Sequence, residues 1–196
     1  MKTIEIVGYK RDGLGKGDSK RLRENGDVPC VLYGGEENVH FYAPMMLFRD
    51  LVYTPNVHFV ELNIEGKLYK AILQDLQVHP VSEVLLHIDF LELNETKEIK
   101  MEIPVKFTGS APGILKGGKL VTKLRKLKVR SLPQHMPEFI EVSINGLELG
   151  KSVKVSSLKA EDYTILNNEM VTIGTIEIPR ALKSAQTKAG DSEDEE

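Results

Sequence analysis

The sequence predicts a mainly β fold with few helices, and three observations predict it. Residues 99–107 alternate apolar and polar side chains with the two-residue period of a strand, the clearest of several such runs. Turn-forming residues separate neighbouring runs, at residues 65–67 and again at 145–146. The second half of the chain contains no helical period longer than two turns.

The chain opens with an alternating segment over residues 1–7, which predicts a first strand. A helix is predicted next, over residues 19–25. Asp18 or Ser19 would be its N-cap, because both side chains can accept hydrogen bonds from free backbone N–H groups. Gly26 would end it, since glycine adopts the left-handed conformation that follows many helices.

The remaining elements of the first half are also predicted from local sequence patterns. A strand over 29–33 ends at two glycines, and a helix from about 44 to 53 has proline in its first turn and Thr-Pro at its end. Apolar runs over 57–64 and 68–73 flank the turn at 65–67 and predict a hairpin. A long apolar run over 84–93 predicts the last strand of this half.

The second half is predicted to be nearly all β. It begins with the alternating run already described and continues through a Gly/Pro-rich loop over 108–118. Beyond residue 179 the sequence is small, polar and acidic, which favours disorder. Further strands are predicted at 126–131, 139–144, 152–155 and 170–178.

A polar stretch at 94–97 separates the two halves. The predicted organisation is therefore a first domain over 1–94, a second over 98–179 and a disordered acidic tail over 180–196. With 196 residues the chain is long enough for two ordinary domains.

Composition favours a soluble folded protein, at 41% hydrophobic and 28% charged residues. No apolar run approaches the length of a membrane span, and the alternating N-terminus does not have the pattern of a signal peptide. The single cysteine, Cys30, excludes an intramolecular disulfide and agrees with a cytoplasmic location.

Charge is unevenly distributed. The net charge is −3, which counts against a nucleic-acid binder if it is taken globally. Residues 10–23, however, contain six bases against two acids, whereas residues 191–196 are almost all acidic. The average therefore conceals a basic site that could meet phosphates.

Glycines alternate with other residues through the basic segment, at Gly13, Gly15 and Gly17. The spacing fits neither a P-loop nor a dinucleotide-binding loop. A flexible backbone that can approach phosphates closely remains, with Lys16 on the loop and a helix N-terminus after it. The alternative is a basic helix that is merely solvated.

A second candidate site lies on the strand over 84–93. Ile88 and Phe90 alternate into the core, so His87 and Asp89 are expected to project together from the other face. An imidazole and a carboxylate at this spacing suit hydrogen bonding to base edges or ribose hydroxyls. Tyr33, before its two glycines, could stack on RNA.

The rival interpretations of these residues stay open. Each histidine could be structural, and His79, His87 and Asp89 are permissible metal ligands, which would suit a metal-dependent hydrolase. Against a metal, no histidine pair lies on a helix and no cysteine motif is present. Cys30 lies in an apolar run, where a packed core thiol is the simplest interpretation.

Taken in order, these segments resemble the bacterial large-subunit ribosomal protein twenty-five family. No single motif is specific to that family, but the ordered set is. The set consists of Arg11, Gly15-Lys16-Gly17, Ser19-Lys20-Arg21-Leu22-Arg23, Val28-Pro29, Tyr33-Gly34-Gly35, Gln74-Asp75-x-Gln77-x-His79-Pro80 and His87-Ile88-Asp89-Phe90.

The second half resembles the long form of the family, also called the Ctc general stress protein, so the resemblance covers about residues 1 to 178. Two departures are a lysine at position 20, where the family usually has arginine, and Val78 in place of a common basic residue. The matching segments are Ile103-Pro104-Val105, Gly109-x-Ala111-Pro112-Gly113, Lys116-Gly117-Gly118, Leu132-Pro133, Pro137-Glu138-x-Ile140-Glu141-Val142 and Leu149-Gly150-Lys151-Ser152.

The resemblance implies a small closed β-barrel with peripheral helices as the first domain, which would bind 5S ribosomal RNA in the large subunit. It implies a β-rich second domain and no catalysis, cofactor, membrane partner or small-molecule substrate. The positions that the resemblance assigns to RNA contact are Arg11, Lys16, Ser19, Lys20, Arg21, Tyr33, Gln74, Gln77, His87 and Asp89.

Other partners follow from the second half. A basic stretch at residues 119–130 could touch other ribosomal RNA, or it could be one solvated face of a strand. Neighbouring ribosomal proteins are the other partners expected for this half. A protein–protein adaptor, in which the second half is the working part, is the alternative function from another class.

Overall fold

A computed structural model of the chain describes residues 1–158 and 162–179, and the predicted tail over 180–196 lies outside them. The chain divides into two compact units. The first contains Met1–Met101 and Arg130–Glu138, and the second contains Glu102–Val129 and the described residues from Phe139 onward.

Six strands of the first half close into a barrel in the order β1-β3-β2-β6-β5-β4. The pairs β1–β4 and β2–β6 are parallel, and the other four are antiparallel. The closed barrel that the family resemblance implies is therefore confirmed. The strands are β1 (Lys2–Lys10), β2 (Asp27–Tyr33), β3 (Val39–Pro44), β4 (His58–Ile64), β5 (Lys67–Val78) and β6 (Leu85–Glu92).

Three phenylalanines fill the barrel. Phe41 and Phe48 each lie against Phe90, with ring centroids 5.8 and 6.2 Å apart, and all three are fully buried. Gly8 makes room for them, because a Cβ at that position would lie 2.6 Å from the Phe41 ring. Burial of large apolar side chains is the main stabilising contribution to such a core.

The first helix, α1 (Lys16–Glu24), differs from the prediction at its start. Its N-cap is Gly15, and neither predicted cap has that position. Asp18 and Ser19 lie in the first turn, where the Asp18 carboxylate complements the positive end of the helix dipole. The predicted end is confirmed, since Gly26 follows the helix with φ of +85°.

The second predicted helix is divided and shorter. A 3₁₀ turn over Met45–Phe48 leads into α2 (Arg49–Val52), while Pro44 belongs to β3, a strand that the sequence analysis missed. Phe48 and Leu51 of this segment are buried in the barrel core.

The second half is β-rich, as predicted. Its strands form a four-stranded sheet in the order β10-β7-β9-β12 and a three-stranded sheet in the order β11-β13-β8. The helical turn α3 and strands β8 and β12 were not predicted. The elements are β7 (Ile99–Thr108), α3 (Pro112–Leu115), β8 (Lys119–Thr122), β9 (Lys126–Ser131), β10 (Ile140–Ser143), β11 (Ser152–Lys154), β12 (Thr164–Ile165) and β13 (Thr172–Glu177), with 3₁₀ turns at Pro133–His135 and Val155–Ser157.

The second unit has a core of its own. Ala111, Ile144 and Ile176 are buried together, with Phe107 packed against them. The alternation predicted for β7 is confirmed at its start, where residues 99, 101 and 103 are buried and the residues between them are exposed. Among the described residues, no helix is long and apolar enough to cross a membrane.

Candidate nucleic-acid interface

The hairpin of β5 and β6 brings polar side chains together on the outside of the barrel. Gln77 lies opposite His87, and Asp75 lies opposite Asp89. Ile88, between the two β6 residues, is buried in the core, so that His87 and Asp89 face outward as predicted.

A β-bulge sets which way β5 presents its side chains. Leu73 pairs with Phe90 and Asp75 with Asp89, so Gln74 is an extra residue without a partner on β6. In a regular strand, Gln74 and Gln77 would lie on opposite faces, because they are three residues apart. The bulge explains why both are exposed.

His87 and Asp89 form a hydrogen-bonded pair. His87 Nδ1 lies 2.7 Å from Asp89 Oδ1, with 27% of the histidine side chain and 33% of the aspartate side chain exposed. The carboxylate favours a proton on Nδ1, which leaves Nε2 of the neutral ring as an acceptor. Asp89 therefore fixes the orientation and tautomer of His87.

Tyr33 is the last residue of β2, the strand that borders β6 on the side away from β5. Val31, two residues earlier, pairs with Asp89, and Tyr33 pairs with Leu91. Because residues two apart in a strand lie on the same side, Tyr33 belongs to the same outer face as Asp89. Partial burial, followed by the negative charges of Asp89 and Asp75, raises the pKa of Tyr33. Its hydroxyl is therefore a proton donor at neutral pH.

Helix α1 is tied to this face by Arg23. Arg23 Nε donates to the Leu86 carbonyl at 2.9 Å, one residue before His87. Leu86 lies where the register of β5 and β6 shifts a second time, between Gln77 and Val78, which leaves its carbonyl available to the helix. Arg23 is therefore directed to the barrel.

The glycine loop before α1 is ordered around Arg11. Its Nη2 donates to the Gly13 carbonyl and to Ser19 Oγ, both at 3.0 Å. Ser19 Oγ in turn donates to the Gly15 carbonyl at 3.1 Å. Arg11 Nε is buried without a partner among the described residues. Two of the predicted contact residues, Arg11 and Ser19, thus shape the loop.

Three predicted bases remain on the exposed side of α1 and its start. Lys16 is exposed, while Lys20 approaches Glu24 at 3.8 Å and Arg21 approaches Asp18 at 3.3 Å. Both ion pairs are solvent-exposed, and exposed pairs of this kind contribute little. These bases can therefore exchange their partners for phosphates.

Two residues of this face are not among the contacts that the family resemblance assigns. Asp75 lies directly opposite Asp89, and Arg23 acts as the tether of α1. The signal for Asp75 was its position two residues before Gln77 on the same strand. No sequence signal identified Arg23 as a tether, because its acceptor is a backbone carbonyl 63 residues away.

The described residues offer no candidate cluster for the alternative of a metal site. His79 Nδ1 already accepts from the backbone of the turn that joins β5 to β6. Within residues 1–158 and 162–179, no group of three His, Cys, Asp or Glu side chains is arranged to hold a metal ion.

The basic stretch of the second half is partly paired with carboxylates. Lys128 lies 3.9 Å from Glu102, and Lys123 lies 3.0 Å from Glu177. On β9, the residues with odd numbers 127 and 129 are buried, which leaves Lys126 and Lys128 exposed.

Two family models match the chain. One, described as the ribosomal L25p family, matches residues 6–90, and the other, described as ribosomal protein TL5, C-terminal domain, matches residues 98–180. The chain is 53% identical over 189 residues to the large ribosomal subunit protein bL25 of Amoebophilus asiaticus, covering 96% of each chain. It is 52% identical to bL25 of Cytophaga hutchinsonii, covering 96% and 98%, and 43% identical to bL25 of Phocaeicola vulgatus, covering 97% and 100%.

Proposed function

The chain belongs to the ribosomal L25p family of large-subunit ribosomal proteins, and on that premise we propose that it binds 5S ribosomal RNA through the outer face of its barrel. The proposed role is structural and non-catalytic, in cytoplasmic ribosomes. The observation that carries the proposal is the joining of a basic helix to a polar strand face by the bond from Arg23 to Leu86.

Affinity in this proposal comes from α1. Lys16, Lys20 and Arg21 neutralise phosphates and release the cations bound to them. Three such contacts give a log–log dependence of affinity on salt with a slope of roughly −2 to −3. Arg11 and Ser19 contribute by holding the glycine loop in place, since their mutual hydrogen bond is internal.

Specificity comes from the strand face. An A-form helix has a wide, shallow minor groove that a rigid strand surface can approach. Asp75 and Asp89 face each other there and would repel phosphates, but they accept hydrogen bonds from amino groups and 2′-hydroxyls. The Tyr33 hydroxyl, Gln74 and Gln77 add donors to the same face.

The second half is proposed to touch other ribosomal RNA or neighbouring ribosomal proteins. Its exposed bases on β9 support an RNA contact. The ion pair with Glu102, however, partly neutralises the positive charge of Lys128. We therefore assign the 5S contact to the barrel alone.

The test is a titration of the full chain against 5S ribosomal RNA made in vitro, at several salt concentrations. His87→Ala is expected to weaken binding by about 1–2 kcal/mol, because it removes a hydrogen-bonding group at the centre of the face. Lys20→Ala is expected to weaken binding and to make the salt slope shallower by roughly 0.7 to 0.9.

The matched control is Lys126→Ala, which removes an exposed lysine from the second half and should leave 5S binding unchanged. An unrelated structured RNA controls for charge alone. No binding of the wild-type chain at moderate salt, or full binding by His87→Ala, would overturn the proposal.

A further inference from the structure

The turn between β5 and β6 is organised by one side chain. The turn consists of residues 80–83, between His79 and Val84. Pro80 has no backbone N–H group, so the backbone donors of the turn are those of residues 81–83. His79 Nδ1 accepts from the backbone N–H groups of Val81 at 3.3 Å and Ser82 at 3.2 Å. The next N–H group, that of Glu83, donates to the His79 carbonyl at 2.9 Å.

His79 thus satisfies every backbone donor of the turn. Its own N–H also donates to the Val84 carbonyl at 2.9 Å, which closes the hairpin. Glu83 adopts the left-handed conformation, with φ of +55°, which costs free energy for a residue other than glycine. The four hydrogen bonds that involve His79 hold the turn in this conformation.

A second element holds the far side of the turn. The Tyr53 hydroxyl, just beyond α2, donates to the Glu83 carbonyl at 3.2 Å. The ionisable groups that the described contacts bring to the turn are therefore His79 and Glu83 within it and Tyr53 across from it.

The turn lies next to the face proposed to bind RNA. Val78 and Leu85 form the last ladder pair before the turn, and Gln77 and His87 form the pair before that. Strand ends open more readily than strand centres. The pairing of Gln77 with His87 therefore depends on the hydrogen bonds that keep the turn closed.

We propose that His79 is a positioning residue for RNA binding, whose unprotonated Nδ1 closes the hairpin and thereby holds Gln77 and His87 in register. This inference rests on the proposed function for its effect on RNA. It does not depend on that function for its effect on the turn.

The chemistry sets a requirement on His79. An imidazolium has donors at both nitrogens and cannot accept at Nδ1. Asparagine places an oxygen at the position equivalent to Nδ1 and can accept the same hydrogen bonds, whereas phenylalanine keeps the ring but has no acceptor.

The experiment combines amide hydrogen exchange with RNA binding on the full chain. In the wild type, the Val81 and Ser82 amides should be protected from exchange, after correction for the intrinsic exchange rate. His79→Phe should lose about tenfold of that protection, and His79→Asn should keep it.

Binding to 5S ribosomal RNA is measured with the same three proteins at neutral pH. His79→Phe should bind about fivefold more weakly, as expected when two hydrogen bonds of the turn are lost, and His79→Asn should bind within about twofold of the wild type. His135→Phe, at an exposed histidine of the Pro133–His135 turn, is the control and should change neither measurement.

The outcomes separate the two proposals. Protection of Val81 and Ser82 that survives His79→Phe overturns the role of His79 in the turn, whatever the RNA does. Loss of protection with undiminished RNA binding overturns the positioning role alone. A wild-type chain that does not bind 5S ribosomal RNA overturns the proposed function, while the exchange data still decide whether His79 closes the turn.

Discussion

Cys30 lies in the barrel wall beneath the proposed RNA-binding face, fully buried. Burial first, and then the charge of Asp89, raises the pKa of its thiol, which the positive charge of Arg11 opposes. The folded protein therefore keeps this thiol protonated in mildly alkaline solution, where an unfolded cysteine ionises at about pH 8.5.

This difference makes a prediction about stability. Above about pH 8.5 only the unfolded state loses the thiol proton, so the free energy of unfolding should fall by up to about 1.4 kcal/mol per pH unit through this group. Urea unfolding of the wild type and Cys30→Ala, with reductant, at pH values from about 7 to 10 measures it. The wild type should lose more stability than the variant as pH rises, and parallel curves would contradict the prediction.

Asp89 makes a second prediction at the scale of a residue. Asp89→Asn keeps the shape of the side chain but removes a charge that repels misplaced phosphates. We expect the ratio of affinities for 5S ribosomal RNA and an unrelated structured RNA to fall by about tenfold, equivalent to about 1.4 kcal/mol. Competition binding measures this ratio, and an equal change in both affinities would argue against a selective role for the carboxylate.

At the scale of an element, the docking of α1 separates two roles for its bases. Arg23→Gln removes the bond to the Leu86 carbonyl, so affinity should fall about threefold to tenfold through misplacement of the helix. The salt slope should stay unchanged, in contrast to Lys20→Ala, since Arg23 is not proposed to meet phosphate. If Arg23→Gln flattens the slope as much as Lys20→Ala does, Arg23 contacts the RNA directly.

The elements also mark where sequence reasoning succeeds and fails. The bounds of β9, Lys126–Ser131, follow from local alternation and were predicted to the residue. Strand β3 was missed because Pro44 was interpreted as the start of a helix, and its hydrogen bonds depend on partners far along the chain.

Within the site, the same division holds. The common face of His87 and Asp89 follows from the two-residue period of one strand, so the sequence predicts it. The bulge at Gln74 and the tether from Arg23 depend on the register between strands and on a backbone acceptor. Neither leaves a periodic signal in the sequence.

At the scale of the whole molecule, the buried cluster of Ala111, Ile144 and Ile176 shares no residue with the barrel core, which predicts that damage to this cluster can leave the barrel's function intact. Ile176→Ala removes a fully buried side chain from the cluster and should cost about 2–5 kcal/mol of stability in the second unit. Affinity for 5S ribosomal RNA should stay within about twofold at a temperature where the variant is folded. Calorimetry and titration of the same sample test this, and a parallel loss of binding would contradict it.

The closure of the barrel has a consequence for how the chain is made. Strand β1 pairs with β4, beginning with Lys2 opposite His58, and β6 must enter between β2 and β5. During synthesis from the N-terminus, the edge of β1 that pairs with β4 therefore stays empty until residues 58–64 have emerged. The period of greatest risk for aggregation with other nascent copies ends only when Leu85–Glu92 has been translated and the ring of strands can close.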